Sequence, residues 1–317
     1  MAIAQQTSDT PVSRPGWARA TANWLFNRQS ATVWALLILL SLAFWPTYAY
    51  WWGIWNAYQS PFGYGYLVPP TVFFLIFARR KAIAESPKSA GHWLALAVIV
   101  FAALLHSAAL LARVNLVQSF AFFLLVMTVP YYVWGGAVYR HIWGALAYTA
   151  TMLPWPPQIY GALLLPAQEI STKIAVKLLN WTGVAVEVTN KTQVSTGSGY
   201  SFEVAAACSG LTIIFPVFAI AILSVMMVKT SWWKTVLILA LSLPLSVFAN
   251  AVRIWTIAVI GENWGASRAD SLHDPSGLAA VIFASILLTV LMALLKATDY
   301  KPEYMPSFAK SPAEEGK

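Results

Sequence analysis

Residues 236–261 read VLILALSLPLSVFANAVRIWTIAVIG, and Arg253 is the only charged side chain among them. A helix needs about 20 mostly apolar residues to cross the hydrocarbon core of a bilayer, and this stretch meets that requirement. A charge within a membrane is costly, so an arginine near the end of such a helix normally faces a cavity or a polar partner. The stretch therefore predicts a membrane-spanning helix with a functional site near one end.

The composition of the whole chain agrees with a membrane protein. Apolar residues make up 59% and charged residues 10%, whereas a soluble domain has about 25% charged residues. We predict an all-α polytopic membrane protein with about eight transmembrane helices, at 31–50, 64–79, 92–112, 116–135, 141–154, 207–228, 233–258 and 275–296. The chain has one cysteine, which excludes a disulfide scaffold and a cysteine-based zinc site.

The distribution of basic residues orients these helices. With both termini in the cytoplasm, 14 of the 20 Lys and Arg and half of the 12 Asp and Glu lie on the cytoplasmic side. Cytoplasmic segments of membrane proteins are enriched in Lys and Arg. The whole net charge of +8 is thereby explained by topology, and no nucleic-acid partner is expected.

These expectations divide the chain into five parts. Residues 1–30 form a disordered cytoplasmic leader rather than a signal peptide, and 31–154 hold helices one to five, ended by the PWPP stretch at 154–157. Residues 155–206 form an extracytoplasmic insertion, an amphipathic helix followed by a β-hairpin or three-stranded meander. Residues 207–297 hold helices six to eight, and 298–317 form a flexible cytoplasmic tail.

Cys208 is expected in the first turn of helix six, on the extracytoplasmic side. The unpaired N–H groups and partial positive charge of a helix N-terminus stabilise a thiolate there. Gly210 would let a substrate backbone approach closely. Arg253 lies near the same side of helix seven, and Asn250, three residues earlier, shares its helix face.

A histidine completes the set of candidate residues. His273 lies in the stretch 262–277, ENWGASRADSLHDPSG, which we interpret as an extracytoplasmic loop with a helix start at Asp274. His106, within helix three, is an alternative base, although a core histidine is the ordinary role of such a residue. Glu203 and Asp270 are candidates for orienting the working histidine.

Each candidate has a role that follows from its chemistry. Cys208 would attack a carbonyl as a thiolate. His273 would take the thiol proton or protonate the leaving amine, and Arg253 would stabilise the oxyanion. The sequence places these residues on one side of the membrane but gives no distance between them.

The chain resembles the exosortase/archaeosortase family of polytopic membrane enzymes. The resemblance rests on ACSGL at 207–211, which includes Ser209, on NAVRI at 250–254, and on His273 with Gly277 four places on. GYLVP at 65–69 resembles the family's N-terminal motif. Tyr64 stands where family members often have histidine, and Thr212 where many have a basic residue, so substrate specificity is the property these differences affect.

The resemblance implies a cysteine protease or transpeptidase without cofactor or metal, with Tyr64, Ser209, Gly210 and Asn250 as supporting residues. Its substrates would be exported proteins ending in a Pro-Glu-Pro-like (PEP-CTERM) motif, an apolar helix and a basic tail. Cleavage would occur at the periplasmic face of the bacterial inner membrane, among membrane lipids and in association with exopolysaccharide export. Water, a lipid amine or a polysaccharide could be the acceptor.

Two other functions fit the residues. A transporter or flippase would use Arg253 and Asn250 to hold an anionic lipid or solute, and its activity would survive loss of Cys208. A scaffold for polymer export would use Cys208 only for packing. Rapid labelling of Cys208 by a membrane-impermeant thiol reagent would argue against the scaffold.

Overall fold

A computed structural model of the chain describes residues 38–39, 41–58, 60–89, 92–189, 193–197, 201–203 and 210–305. Within these ranges the chain is mostly helical and has one small sheet, which confirms the predicted all-α polytopic membrane protein. Residues 1–30 and 306–317 lie outside the described residues, and so do Cys208 and Ser209.

Five helices and two short 3₁₀ turns have described bounds in the first half of the chain. The helices are α1 (Trp45–Trp55), α2 (Val68–Ala78), α3 (Arg80–Glu85), α4 (Trp93–Leu111) and α5 (Asn115–Tyr148). The 3₁₀ turns are Gly65–Leu67, which leads into α2, and Thr149–Met152, which follows α5.

The second half begins with α6 (Pro157–Trp181), whose first residue is the last proline of the PWPP stretch. A three-stranded antiparallel sheet follows, in the order β1 (Val186–Thr189), β2 (Gln193–Thr196) and β3 (Ser201–Glu203). Val188 pairs with Val194, and Val194 pairs with Phe202. The last helices are α7 (Leu211–Met227), α8 (Trp232–Trp264) and α9 (Ala266–Leu294), and a 3₁₀ turn lies at Pro302–Tyr304.

Four of the described helices are long and apolar enough to cross a bilayer: α4, α5 with its following turn, α8 and α9. Two apolar stretches are shorter, Gly65–Ala78 and Leu211–Met227. The predicted span at 116–135 falls on α5, and most of the one at 141–154 falls on the end of α5 and the turn that follows it. Eight spans therefore remain a prediction, while the multi-pass character of the chain is established.

The long α5 is interrupted at Gly135, which has φ 78° and ψ 175°. The two halves of α5 pack on each other, with Met127 of the first half against the cluster of Val138 and Ile142 in the second. A Cβ at Gly135 would lie 2.2 Å from the Oγ of Ser89, so both the positive φ and the close contact require glycine. The two spans predicted within α5 are thus separated by this one residue.

The C-terminal segment up to Met305 packs on the bundle, so the flexible tail predicted for 298–317 is wrong for its described part. Tyr300 forms a β-bridge with Val228, and the Lys301 N–H donates to the Met227 carbonyl at 2.9 Å. Glu303 pairs with Arg79 at 3.3 Å, and Tyr304 is buried. The polar sequence of this C-terminal segment does not predict these contacts, because the residues that it contacts lie at the ends of α2 and α7.

Helices α7, α8 and α9 share a core of small and β-branched side chains. Its buried members are Ile213, Val217, Ala249, Ala280 and Ala284. Small residues allow membrane helices to approach closely in the absence of a hydrophobic driving force between them. This core fixes the start of α7 against the middle of α8 and α9.

Helix α6 packs along the second half of α8 rather than standing apart from it. Ala175 and Leu179 of α6 form a buried cluster with Ala251 and Ile254 of α8, and Val194 of β2 joins them. The Ser171 hydroxyl donates to the Val247 carbonyl of α8 at 3.2 Å. The predicted extracytoplasmic helix and strands are therefore a layer on α8.

The loop and helix start predicted at 262–277 are wrong. Helix α8 continues to Trp264, Gly265 turns the chain with φ 86° and ψ 163°, and α9 begins at Ala266 with Pro275 inside it. A single proline removes one backbone hydrogen bond, and the helix continues through Pro275 to Leu294. We call the stretch from Asn250 to Gly277 the α8–α9 hairpin.

Candidate active site

The Arg253 guanidinium is buried between α8 and α9, with 6% of the residue exposed. Its Nε donates to the Ser276 Oγ at 2.9 Å, and its Nη2 donates to the His273 carbonyl at 2.9 Å. The Ser276 Oγ donates to the same carbonyl at 2.6 Å. These bonds join Arg253 of α8 to one turn of α9.

The third nitrogen of this guanidinium is available for another group. Nη1 of Arg253 is buried and has no hydrogen-bond partner among the described residues. Within the same residues, no carboxylate forms an ion pair with it. A buried charge without a partner is strongly destabilising. Arg253 therefore has the properties of a residue that binds a negatively charged oxygen.

The start of α7 meets the same face of α8. Gly210 caps α7 with φ 84° and ψ −7°, and a Cβ at Gly210 would lie 3.0 Å from the Nδ2 of Asn250. Asn250 is fully buried, three residues before Arg253. Gly277 of α9 is close as well, since its Cβ would lie 3.9 Å from the Arg253 Nη2. Residues of three helices thus converge at what we call the site end of the bundle.

We expect Gly210→Ala to lower the stability of the folded protein by about 1–3 kcal/mol, because a left-handed conformation and a tight contact are both imposed on alanine. The measurement is the Tm of the purified protein in detergent. Gly161→Ala is the matched control, because a Cβ at Gly161 of α6 would have nothing within 4 Å. Equal Tm values for the two variants would contradict the expectation.

His273 lies one turn from Ser276 on α9, and its side chain is 25% exposed. Its Nδ1 lies 3.3 Å from the Asp274 Oδ1, which also accepts a hydrogen bond of 3.1 Å from the Tyr58 hydroxyl. The carboxylate in contact with this imidazole is thus one that the sequence did not single out. Asp270 is exposed on the preceding turn, and the side chain of Glu203 lies outside the described residues.

His106 lies in a different environment, between α4 and the residues before α1. Its ring stacks on Phe44 with centroids 3.7 Å apart, and its Nε2 lies 3.2 Å from the Ala43 carbonyl. His106 is 5% exposed. These contacts are those of a core histidine, the role that the sequence favoured for it.

We expect His106→Phe to keep the cleavage rate within about threefold, whereas loss of a general base costs 10²–10⁴-fold. Phenylalanine preserves the stacking on Phe44 and removes the group that titrates. The measurement is the rate at which a reporter protein with a Pro-Glu-Pro-type C-terminal tail is cleaved, with His273→Phe as the matched variant. A large loss in His106→Phe together with an active His273→Phe would identify His106 as the base.

Tyr64 and the motif at 65–69 tie α2 to its neighbours. The Tyr64 hydroxyl donates to the Thr151 carbonyl. A Cβ at Gly65 would lie 2.3 Å from the Trp55 Nε1, which itself donates to the Met152 carbonyl at 3.2 Å. In the described contacts this motif therefore packs α2 against the ends of α1 and α5.

The described residues contain no group of three or more His, Cys, Asp or Glu side chains that could hold a metal ion. In the part of the chain that the structure describes, the site end holds a buried guanidinium whose Nη1 has no partner there, an imidazole in contact with a carboxylate, and the glycine cap of α7. A donor of this kind can stabilise an oxyanion, and an imidazole can transfer protons.

A family model described as transmembrane exosortase (Exosortase_EpsH) matches residues 51–292. The match runs from α1 through α9 and includes the whole site end. Comparisons with curated proteins and with solved structures give no significant match.

Proposed function

Since the chain belongs to the transmembrane exosortase family of membrane proteases and transpeptidases that process sorting signals, we propose that it acts through a cysteine thioester. Cys208 is the nucleophile, His273 the general acid and base, and Arg253 the oxyanion donor. The observation that carries the proposal is the buried Arg253 guanidinium, whose Nη1 is without a partner in the described part of the chain.

The covalent chain supports the assignment of Cys208. Only Ser209 separates it from Gly210, and each residue extends the chain by at most about 3.6 Å. The Cα atoms of Cys208 and Gly210 are therefore within about 7 Å of each other, and Gly210 contacts the helix face that carries Asn250 and Arg253. The covalent chain thus ties the proposed nucleophile to the helix face that carries the buried guanidinium, which is where oxyanion stabilisation requires a donor.

The proposed reaction has two halves. The Cys208 thiolate attacks the scissile carbonyl, whose oxygen takes the electron pair and accepts a hydrogen bond from Arg253 Nη1. The tetrahedral intermediate collapses to a thioester, and the leaving amine takes a proton from the His273 imidazolium. His273 then takes a proton from the acceptor as it attacks the thioester, and the thiolate is released. The acceptor is water, a lipid amine or a polysaccharide group.

The charges at the two ends of the bundle support an extracytoplasmic site. At the end opposite the site, where α2 and α7 finish, the basic residues include Arg79, Arg80, Lys81, Arg140, Lys229, Lys234, Lys296 and Lys301. Such enrichment is typical of a cytoplasmic surface. We place the protein in a bacterial inner membrane, with the site end facing the periplasm and an exported protein with a Pro-Glu-Pro-type tail as substrate.

The test is co-expression of the chain with a panel of reporters, each ending in a Pro-Glu-Pro-type motif, an apolar helix and a basic tail. Intact mass is measured with and without hydroxylamine in the lysis buffer. We expect a shortened reporter, and hydroxylamine should convert part of it to the C-terminal hydroxamate that a thioester yields. Reporters that all stay intact, or shortening without any hydroxamate, would overturn the thioester mechanism.

A further inference from the structure

A series of side-chain contacts joins the residues just after α1 to the site end. The Tyr58 hydroxyl, just after α1, donates to the Asp274 Oδ1 at 3.1 Å, and the same oxygen lies 3.3 Å from the His273 Nδ1. Tyr58 and Asp274 are 216 positions apart in the sequence. The exposed carboxylate is therefore held from two sides, by a phenol and by an imidazole.

The backbone beneath this imidazole is also held. The His273 carbonyl accepts hydrogen bonds from Arg253 Nη2 and from the Ser276 Oγ. With the main chain fixed by α8, the imidazole has only its two side-chain torsions left to vary. A contact at Nδ1 restricts those torsions and thereby the direction in which Nε2 faces.

The same contact selects a tautomer. In a neutral imidazole, the hydrogen bond made by one ring nitrogen decides which nitrogen carries the proton. An Nδ1–H that donates to a carboxylate leaves the lone pair on Nε2, and a general base needs that lone pair. A phenol that donates to the carboxylate keeps that oxygen in place and favours its charged form.

Arg253 and Asp270 are the other charged groups on α8 and α9 that the described structure places beside this turn. Arg253 approaches from α8 and is directed at the His273 carbonyl. Asp270 lies one turn earlier on α9 and is exposed, and α7, which also packs on α9, has no ionisable side chain between Leu211 and Met227. Asp274 is the carboxylate that the described contacts bring to the ring.

We propose that Asp274 and Tyr58 are positioning residues that hold His273 as the Nδ1–H tautomer with Nε2 facing the reacting atoms. The proposal rests on the proposed function for its catalytic meaning, because His273 is the base there. The placement of the proton can nevertheless be measured without any substrate.

The first experiment uses ¹⁵N-imidazole NMR of the full chain in detergent, in a Cys208→Ala background. His273→Gln identifies the resonances of His273 among those of the 4 histidines. We expect the Nδ1–H tautomer with Asp274 present and a shift toward Nε2–H in Asp274→Asn. Tyr58→Phe should give a smaller shift toward Nε2–H, and the control Tyr300→Phe, at the opposite end of the bundle, should leave the tautomer unchanged. An unchanged tautomer in Asp274→Asn would overturn the proposal.

The second experiment is reporter cleavage with Cys208 intact. We expect Asp274→Asn to lower kcat by about 10²-fold with KM unchanged, the lower range for general acid–base catalysis, and Tyr58→Phe to lower it by a smaller factor. If Asp270→Asn has the larger effect, Asp270 is the positioning residue and the proposal is wrong. The two proposals can fail separately. If Cys208→Ser still cleaves the reporter while the tautomer of His273 depends on Asp274, the thioester mechanism is wrong and the positioning of His273 stands.

Discussion

Replacing Cys208 by serine is expected to abolish reporter cleavage, with a loss on the order of 10⁴–10⁶-fold, the range found when a catalytic nucleophile is removed. A serine hydroxyl has nearly the same size as a thiol but is far less acidic, so the thiolate disappears while packing is kept. The measurement is the fraction of reporter shortened, by intact mass, at equal levels of membrane-inserted enzyme.

The single cysteine of the chain provides the control for this variant. Cys208→Ser contains no thiol at all, so a membrane-impermeant maleimide added to whole spheroplasts should label the wild type alone. Labelling also tests the side of the membrane on which Cys208 is exposed. Cleavage by Cys208→Ser at the wild-type rate would contradict the assignment and give Cys208 a packing role.

Replacing Arg253 by glutamine is expected to lower kcat by about 10²–10³-fold, the cost of removing an oxyanion donor. Glutamine removes the charge and the Nη1 that has no partner in the described structure. Arg253→Lys should also lose activity, because the three donors of lysine share one nitrogen and cannot reproduce the separate positions of Nε, Nη2 and Nη1 in the planar guanidinium. The measurement is kcat and KM for the same reporter, and KM should change little.

A matched arginine separates this effect from loss of folding. Arg268 is exposed on α9, in the same hairpin, so Arg268→Gln removes one positive charge without touching the site. The Tm of each variant shows how much of the loss comes from the broken bonds to Ser276 and His273. Arg253→Gln with a wild-type kcat would exclude Arg253 as the oxyanion donor.

Apolar runs predicted most of the fold because burial in lipid requires them. The predicted helix at 92–112 matches α4 within one residue at each end. The prediction was wrong at 262–277, where polarity was interpreted as a loop. Those residues are polar because they stand beyond the apolar part of α8 and α9, and helix formation there depends on packing between the two helices.

The candidate site was predictable only where a residue is unusual in its own segment. Arg253 is a lone charge in an apolar helix, and it is buried with one donor nitrogen, Nη1, that has no partner among the described residues. Ser276 and Tyr58 are ordinary polar residues in polar stretches, and their contacts with Arg253 and Asp274 span 23 and 216 positions of sequence. No local pattern encodes such contacts.

The α8–α9 hairpin has a consequence for where along a substrate the chain can act. Arg253 lies 21 residues after the start of α8 at Trp232, which is about 31 Å of helix at 1.5 Å per residue, close to the thickness of the hydrocarbon core. Because one continuous helix sets this height, the proposed active site should lie at a fixed distance from the opposite membrane surface. We expect the bond to be cut to be selected by its height above the lipid as well as by the residues around it.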